Sequence, residues 1–310
     1  MAILIQIGEF HSQETWRDGF LAVDPELDLR LWPDVGDPAE IEAVIVWHHV
    51  HGSLTQFPNL KVICNLGAGV EAIFHDPDLP ADVPISRVVD PRLTRSMAEY
   101  VLLHVLRYHR RFAENQEFQA ARQWKYVPSD DAADTTIGFL GMGALGLHSA
   151  EKIRNLGFRV AGWSRTEKSI EGMEMYHGPE GLGPFLGGLK MLVCLLPLTA
   201  ETSGIINNDL LAQLPDDSFF INAGRGQHVV DEDLLAALDS GKLSGATLDV
   251  FHVEPLPKEH AFWTHPKVTI TPHNAADSFP RDVCPQIIGN IKGVLSGKPP
   301  MNEVKLDRGY

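Results

Sequence analysis

The stretch TTIGFLGMGALGLHSAEKIRNLG, residues 135–157, decides the fold. A short apolar run leads into three glycines spaced G-x-G-x-x-G, and an amphipathic helical segment follows. A strand, a glycine-rich turn and a helix in this order are the fingerprint of a dinucleotide-binding fold. The first glycine permits a tight turn, the second lets pyrophosphate approach bare backbone, and the third lets helix and strand pack closely. The predicted phosphate-binding residues are Gly141, Met142, Gly143, Ala144, Leu145 and Gly146.

The end of the next predicted strand indicates which nicotinamide cofactor is bound. An NAD-binding protein usually presents Asp or Glu there, about 20 residues after the glycines, to bind the ribose 2′-hydroxyl. This chain has Ser164 instead, followed by Arg165, Thr166 and Lys168. Arg and Lys are the side chains that bind phosphate. The sequence therefore predicts that NADP(H) is preferred, with NAD(H) possible.

Short apolar runs separated by helix-length polar segments extend in both directions from this fingerprint. Val and Ile occupy both parities of each run, as in strands buried on both faces of a parallel sheet. A long helix is predicted over 92–112, with Leu93, Met97, Val101 and Val105 at helical spacing. We expect an α/β protein with two doubly wound parallel-sheet domains. The predicted strands are 3–7, 29–32, 43–47 and 61–67 in the first domain, and 136–140, 158–163, 191–196, 218–224, 246–251 and 267–271 in the second.

Length and charge exclude several classes of protein. The 310 residues are 44% hydrophobic, which suffices for two domains with their own cores. A net charge of −15 argues against a nucleic-acid partner. No run approaches the 18 apolar residues of a membrane span, and three widely spaced cysteines build no disulfide framework. We expect a cytoplasmic protein without membrane or nucleic-acid partners.

Three histidines, His48, His49 and His51, crowd the end of the third predicted strand. Adjacent residues on a strand point to opposite faces, which is unsuitable for chelation. We therefore predict no metal site.

Three polar residues follow strands of the second domain: Arg225, Glu254 and His273. Ligands of open parallel sheets bind at the carboxyl ends of the strands, so these side chains are candidates for one site. Arg225 would pair with a substrate carboxylate and polarise a carbonyl. His273 would donate a proton to the oxygen as hydride reaches carbon, and Glu254 would fix the imidazole tautomer. An arginine, a glutamate and a histidine are together the residue types suited to reduction of a 2-oxo acid.

Several motifs, in this order, resemble the D-isomer-specific 2-hydroxyacid dehydrogenases: GMGALG, LPLTAETSGIIN, INAGRG, LDVFHVEPLP and TPHNAA. Others resemble the glyoxylate/hydroxypyruvate reductase A branch of that family, whose members are cytoplasmic and prefer NADPH: VIVWHHV, NLGAGVEAI, WSRTEKS and the terminal DRGY.

The resemblance implies a role for each matching residue. Arg225, Glu254 and His273 match the catalytic residues. The other matches are Trp47 with an aromatic wall of the substrate pocket, the amides of Leu66, Gly67, Ala68 and Gly69 with the loop that holds the substrate carboxylate, Ala223 and Asp249 with the nicotinamide carboxamide site, and Leu196 and Pro197 with the adenine ribose site.

The resemblance also implies the domain arrangement. A flavodoxin-like substrate domain, residues 1–98 completed by 283–310, accompanies a Rossmann NAD(P)-binding domain, residues 99–282, with the cleft between them. The family is usually homodimeric through the long helix near residue 100.

Two departures from the family pattern bear on substrate preference. Asn274 replaces a usually apolar residue, and Gly224 is expected to loosen the loop that aims Arg225. The main expectation is NADPH-dependent reduction of glyoxylate or hydroxypyruvate to glycolate or glycerate. The alternatives are a dehydrogenase for a bulkier, phenylpyruvate-type substrate, and a cofactor-sensing binding module without catalysis.

Overall fold

The computed structural model describes residues 2–8 and 12–304. The DRGY motif at 307–310, which ends the predicted 283–310 segment, lies outside the described residues. The chain divides into two compact units, each described by itself below. The first runs to Leu93 and resumes at Ser278, and the second is Thr94–Asp277. The boundaries predicted for functional domains, at 98/99 and 282/283, stay a prediction.

The first unit contains a five-stranded parallel sheet in the order β2-β1-β3-β4-β5. This is the flavodoxin-like order. Every residue of β1 is buried, Gln6 included, in agreement with the mainly apolar run in the sequence. Trp16 and Phe20 of the first helix and Ile287 of the last helix pack in the core on one side of this sheet. The strands are β1 (Ala2–Ile7), β2 (Asp28–Leu31), β3 (Ile41–Trp47), β4 (Val62–Asn65) and β5 (Ile85–Ser86).

The second unit contains a seven-stranded parallel sheet in the order β12-β11-β10-β9-β6-β7-β8. Counted from β6, this is the Rossmann order 3-2-1-4-5-6 with one strand added. The predicted α/β class with two doubly wound sheets is confirmed. The strands are β6 (Thr136–Leu140), β7 (Arg159–Ser164), β8 (Glu174–His177), β9 (Met191–Cys194), β10 (Ser218–Asn222), β11 (Leu243–Leu248) and β12 (Val268–Ile270).

Helices connect the strands. None in the described part of the chain has the length and apolar character to cross a membrane. The α-helices are α1 (Gln13–Val23), α2 (Glu71–Phe74), α3 (Pro91–His109), α4 (Phe112–Ala120), α5 (Ala144–Asn155), α6 (Gly178–Leu186), α7 (Asn208–Gln213), α8 (Asp231–Asp239) and α9 (Pro280–Leu295); short 3-10 helices span Pro38–Glu40, Ser53–Gln56, Ala132–Asp134, Gly226–His228 and Ala261–Thr264.

The long helix is shorter than predicted. It ends at His109 instead of residue 112, because Arg111 adopts φ +52° and a new helix starts at Phe112. The predicted apolar stripe is confirmed, since all four of its members are buried: Leu93, Met97, Val101 and Val105.

Two strands were absent from the prediction. β5 has two residues and β8 has four, and β8, at the edge of its sheet, has two half-buried residues between two exposed ones. Strands this short carry little periodicity for a sequence pattern to reveal. The prediction for β11 was displaced, since the strand is Leu243–Leu248 and not 246–251.

The register of the second sheet aligns the ends of five strands. Leu140 pairs with Cys194, Cys194 with Asn222, Asn222 with Leu248, and Leu248 with Ile270. The loops that follow these residues therefore leave the sheet at one edge. They carry the glycine-rich turn and all three candidate catalytic residues.

Candidate functional site

The glycine-rich turn has the backbone that its motif predicts. Gly141 adopts φ +100°, and a Cβ there would lie 2.6 Å from the carbonyl oxygen of Leu195. A Cβ on Gly146 would lie 1.9 Å from the carbonyl oxygen of Gly141, so helix α5 approaches the turn only because residue 146 is glycine. A Cβ on Gly143 would meet no atom within 4 Å. The open space at Gly143, at the start of a helix, suits a dinucleotide pyrophosphate.

The basic turn after β7 is tied to the glycine-rich turn. The Ser164 hydroxyl donates to the carbonyl oxygen of Thr166 at 2.8 Å, and the Lys168 ammonium donates to that of Met142 at 2.8 Å. Arg165 Nη1 lies 3.9 Å from Glu201 Oε2, and both side chains are more than half exposed. Lys168 therefore braces the backbone of the glycine-rich turn, and Arg165 belongs to the same basic turn after β7.

The imidazole of His273 and the carboxylate of Glu254 form a close pair. His273 Nδ1 lies 2.7 Å from Glu254 Oε2, and the backbone N–H of Phe251 donates to Glu254 Oε1 at 2.9 Å. Burial raises the pKa of Glu254, but the hydrogen bond and charge of His273, together with the Phe251 N–H and the charge of Arg225, outweigh burial and bring this pKa below the usual value. A carboxylate at this distance requires a proton on Nδ1, which fixes the ring tautomer.

Arg225 belongs to a loop crossed by several hydrogen bonds. Its backbone N–H donates to His228 Nδ1 at 3.1 Å, and Asn222 Nδ2 donates to its carbonyl oxygen at 3.0 Å. Its guanidinium donates to the carbonyl oxygen of Gly224 at 2.7 Å. A Cβ on Gly224 would lie 3.0 Å from His228 Nδ1. Gly224 therefore gives His228 room to bind the loop, and the expected loosening of this loop stays a prediction.

Asp249 organises the loop that carries His273. Its carboxylate accepts hydrogen bonds from the Thr271 hydroxyl at 2.6 Å and from the backbone N–H groups of Asn274 and Ala275, each at 3.0 Å. Because the Thr271 hydroxyl donates to Asp249, the Tyr100 hydroxyl 2.7 Å away donates to Thr271. Burial raises the pKa of Asp249. Thr271 opens the TPHNAA motif and Tyr100 lies on the predicted long helix, but the sequence patterns assign a role to neither.

Three other predicted cofactor residues lie along the same edge of the sheet. Leu196 and Ala223 are buried. The Pro197 carbonyl oxygen accepts a hydrogen bond from the Thr202 hydroxyl at 2.8 Å. Asn274 contributes its backbone to the Asp249 cluster, and its side chain is exposed.

The substrate-wall candidates lie together in the first unit. A Cβ on Gly67 would lie 1.9 Å from Trp47 Cζ3, so the indole rests directly on that glycine. Asn65 Nδ2 donates to the carbonyl oxygens of Gly67 at 2.9 Å and Gly69 at 2.6 Å. This clamp on the loop was also missed, although Asn65 ends a strand directly before it.

One residue of the predicted carboxylate loop is excluded. The backbone N–H of Leu66 donates to the carbonyl oxygen of Val46 at 3.0 Å, extending the sheet, and its side chain is buried. The candidate carboxylate donors are therefore Gly67, Ala68 and Gly69.

The three neighbouring histidines, His48, His49 and His51, do not alternate along a strand as predicted. Strand β3 ends at Trp47, and His48 adopts φ +53°, so strand alternation does not apply to them. The side chain of His49 is fully buried, and its Nε2 lies 2.9 Å from Asp76 Oδ2. His49 therefore anchors the loop to the segment around Asp76.

Comparisons with known proteins agree with this architecture. The sequence model of the family described as "D-isomer specific 2-hydroxyacid dehydrogenase, NAD binding domain" matches residues 102–275. The chain is 42% identical to glyoxylate/hydroxypyruvate reductase A of Serratia proteamaculans, over 97% of each protein. It is 43% identical to the Klebsiella pneumoniae protein of that name, over 92% of this chain and 93% of the relative.

Solved structures give the same result. A D-isomer-specific 2-hydroxyacid dehydrogenase from Xanthobacter autotrophicus Py2, in complex with NADPH and MES, is 42% identical with a TM-score of 0.94, covering 100% of this chain and 99% of that one. The NADPH-dependent glyoxylate/hydroxypyruvate reductase of Sinorhizobium meliloti, in complex with NADP and sulfate, is 37% identical with a TM-score of 0.93 at the same coverage. The resemblance found in the sequence motifs is confirmed.

Proposed function

Because the chain belongs to the D-isomer-specific 2-hydroxyacid dehydrogenase family, we propose that it reduces a small 2-oxo acid with NADPH. Glyoxylate and hydroxypyruvate, giving glycolate and glycerate, are the proposed substrates. The observation that carries the proposal is the His273–Glu254 pair at 2.7 Å. It lies on the loops that leave the same sheet edge as the glycine-rich turn.

The glycine-rich turn fits NADP(H), as the open space at Gly143 and the steric requirement at Gly146 indicate. When bound, the reduced cofactor supplies the hydride. The loop amides at 141–146 would hold its pyrophosphate, and Arg165 and Lys168 would supply positive charge to the 2′-phosphate. The relatives solved with NADPH or NADP support this cofactor.

His273 acts as the proton donor. In the neutral His273 ring, the Glu254 carboxylate keeps the proton on Nδ1. When Nε2 is protonated as well, the ring becomes an imidazolium, which the negative charge of Glu254 stabilises. The Nε2 proton passes to the carbonyl oxygen of the substrate and neutralises the developing negative charge. Glu254 stays ionised throughout, because its own pKa lies below the usual value.

Arg225 binds and polarises the substrate. Its guanidinium carries a permanent charge and paired donors, which match the carboxylate and carbonyl oxygens of a 2-oxo acid. The amides of Gly67, Ala68 and Gly69 would donate to the same carboxylate, and Trp47 would limit the size of the substrate.

The protein is proposed to be a cytoplasmic homodimer. Apolar side chains on and after helices α3 and α4 are exposed in one stretch of the chain, an arrangement that favours association with a second copy. They are Leu103, Phe112, Trp124 and Tyr126. Light scattering should give twice the mass of one chain for the wild-type protein. If this surface is the interface, the W124S/Y126S variant should give the mass of one chain.

Initial rates of cofactor oxidation test the function. NADPH and NADH should each be tried with glyoxylate, hydroxypyruvate, pyruvate and phenylpyruvate. The proposal predicts the highest kcat/KM for NADPH with glyoxylate or hydroxypyruvate. A preference for phenylpyruvate would replace the substrate assignment by the bulkier one. Cofactor binding without turnover on any of the four would favour a cofactor-sensing module.

A further inference from the structure

Three ionisable side chains outside the proposed catalytic set meet beside the loops that carry Arg225 and Glu254. His252 Nε2 lies 3.6 Å from Asp231 Oδ1, and His260 Nε2 lies 3.3 Å from Asp231 Oδ2. All three belong to the second unit. Asp231 begins helix α8, His252 is two residues before Glu254, and His260 precedes a short 3-10 helix. One carboxylate thus lies between two imidazoles from different segments.

The hydrogen bonds define the tautomer of each ring. His252 Nε2 lies 2.8 Å from the carbonyl oxygen of Val229, which only accepts, so this nitrogen carries a proton. His260 Nδ1 accepts the backbone N–H of Phe262 at 3.3 Å, so the proton of the neutral ring is on Nε2, facing Asp231. Both rings therefore direct an N–H toward this cluster.

His252 connects the two catalytic loops. Its ring donates to Val229, in the segment that follows Arg225, and its own carbonyl oxygen accepts from Gln227 Nε2 at 3.4 Å. The two loops also touch where a Cβ on Gly226 would lie 1.9 Å from the carbonyl carbon of Phe251. Phe251 in turn donates its backbone N–H to Glu254. A shift of the 251–254 loop would therefore move Glu254 relative to Arg225.

We propose that His252 is a positioning residue that ties the Arg225 loop to the Glu254 loop, with Asp231 and His260 holding its imidazole in place. This inference rests on the proposed function for its kinetic consequence. His252 does not act on the substrate. It maintains the geometry in which Glu254 directs the Nδ1 proton of His273, and a displacement of about 1 Å in such a geometry lowers turnover by up to about 100-fold.

Two substitutions separate this role from a general loss of stability. In H252Q the side-chain amide nitrogen occupies the position of Nε2 and can still donate to the Val229 carbonyl oxygen. In H252N the shorter side chain reaches only the position of Nδ1, so the bond to Val229 is lost. H265N is the matched control. His265 Nε2 lies 3.3 Å from Asp239 Oδ1 at the other end of α8. The H265N substitution therefore removes a comparable His–Asp pair far from the catalytic loops.

Two readouts are needed. The first is kcat and KM with NADPH and glyoxylate: we expect H252N to lower kcat about 10-fold with KM for NADPH within about twofold of wild type, and H252Q and H265N to retain kcat. The second does not require turnover. Long-range ¹H–¹⁵N spectra of the histidine rings show which nitrogen of His273 is protonated, with the His273 signals assigned by their loss in H273N.

The inference predicts an Nδ1-protonated His273 in wild type, H252Q and H265N, and a mixture of tautomers in H252N. If H252N leaves the His273 signals as in wild type, the inference is overturned, whatever the rate or the Tm. A wild-type protein without turnover would refute the proposed function, and the spectra would still decide the role of His252.

Discussion

The backbone N–H of His273 donates to the carbonyl oxygen of Asp249 at 2.8 Å, and this bond holds His273 at φ +52°. A non-glycine residue rarely adopts this conformation unless its surroundings enforce it. The carboxylate of Asp249 also accepts the next two backbone N–H groups of the loop. One buried aspartate therefore determines the position of the proposed proton donor.

Replacing Asp249 by Asn should disturb this loop. The side-chain amide of the new asparagine would point an N–H at a backbone N–H of the loop or at the Thr271 hydroxyl. Two donors cannot bond each other, so one buried donor would stay unpaired at a cost of about 1–3 kcal/mol. We expect D249N to lower Tm and to lower kcat by at least about 10-fold. Thermal unfolding and steady-state rates measure both. T247V is the control, since it removes a buried threonine hydroxyl of β11 that faces His104 instead of the loop; equal losses in both variants would contradict this role.

Replacing His273 by Asn should remove the proton donor while preserving cofactor binding. Turnover of glyoxylate should fall by about 10²- to 10⁴-fold. The dissociation constant of NADPH, measured by fluorescence titration, should stay close to that of wild type. Retained turnover would exclude His273 as the donor.

Alanine substitutions at two glycines should affect substrate binding and cofactor binding separately. In G67A the new methyl group would overlap the Trp47 indole, so we expect KM for the 2-oxo acid to rise and KM for NADPH to stay constant. In G143A the methyl group would occupy the space proposed for pyrophosphate, so KM for NADPH should rise instead. Steady-state kinetics of the two variants provide each other's control, and the same pattern in both would contradict the assignment.

Arg165 should determine the choice of cofactor. R165A removes a charge proposed to pair with the 2′-phosphate, so KM for NADPH should rise by about 10-fold or more while KM for NADH changes little. E201Q removes the carboxylate 3.9 Å from Arg165 and should lower KM for NADPH modestly. A parallel rise of both Michaelis constants in R165A would show that Arg165 does not recognise the phosphate.

The buried Asp76–His49 pair should make stability depend on pH. Burial raises the pKa of Asp76, but the hydrogen bonds from His49 and from the amides of Asp78 and Gly52 outweigh burial, so the net pKa is lowered. A lowered folded-state pKa stabilises the protein above the unfolded value of about 4, and this stabilisation is lost as the pH falls through the folded value.

Asp76→Asn should therefore destabilise the protein at pH 7, by about 1–3 kcal/mol because buried hydrogen bonds from His49 and Gly52 to the carboxylate are lost. The deficit should shrink below about pH 4. Denaturant unfolding between pH 3 and 7 measures the difference. D134N removes an exposed carboxylate 3.4 Å from Arg159 and serves as the control. A deficit independent of pH would exclude the ionised Asp76 carboxylate as its cause.

Much of this protein can be predicted from local sequence patterns. The glycine spacing at 141–146 requires a particular backbone, because a side chain at residue 146 would overlap the turn itself, and such steric limits act over a few residues. The apolar runs likewise predict buried parallel strands wherever they are long enough to show their pattern. The short strands β5 and β8 were therefore missed.

The contacts that hold the site were decided by sheet register and by long-range pairing. Asp249 meets residues 271–275 because Leu248 pairs with Ile270 across two adjacent strands. Leu66 is excluded from the carboxylate loop because its N–H completes the pairing with β3. His49 is buried because it meets Asp76, far along the chain. Hydrogen-bond partners so distant in sequence become neighbours only when the sheets form, and no local pattern records them.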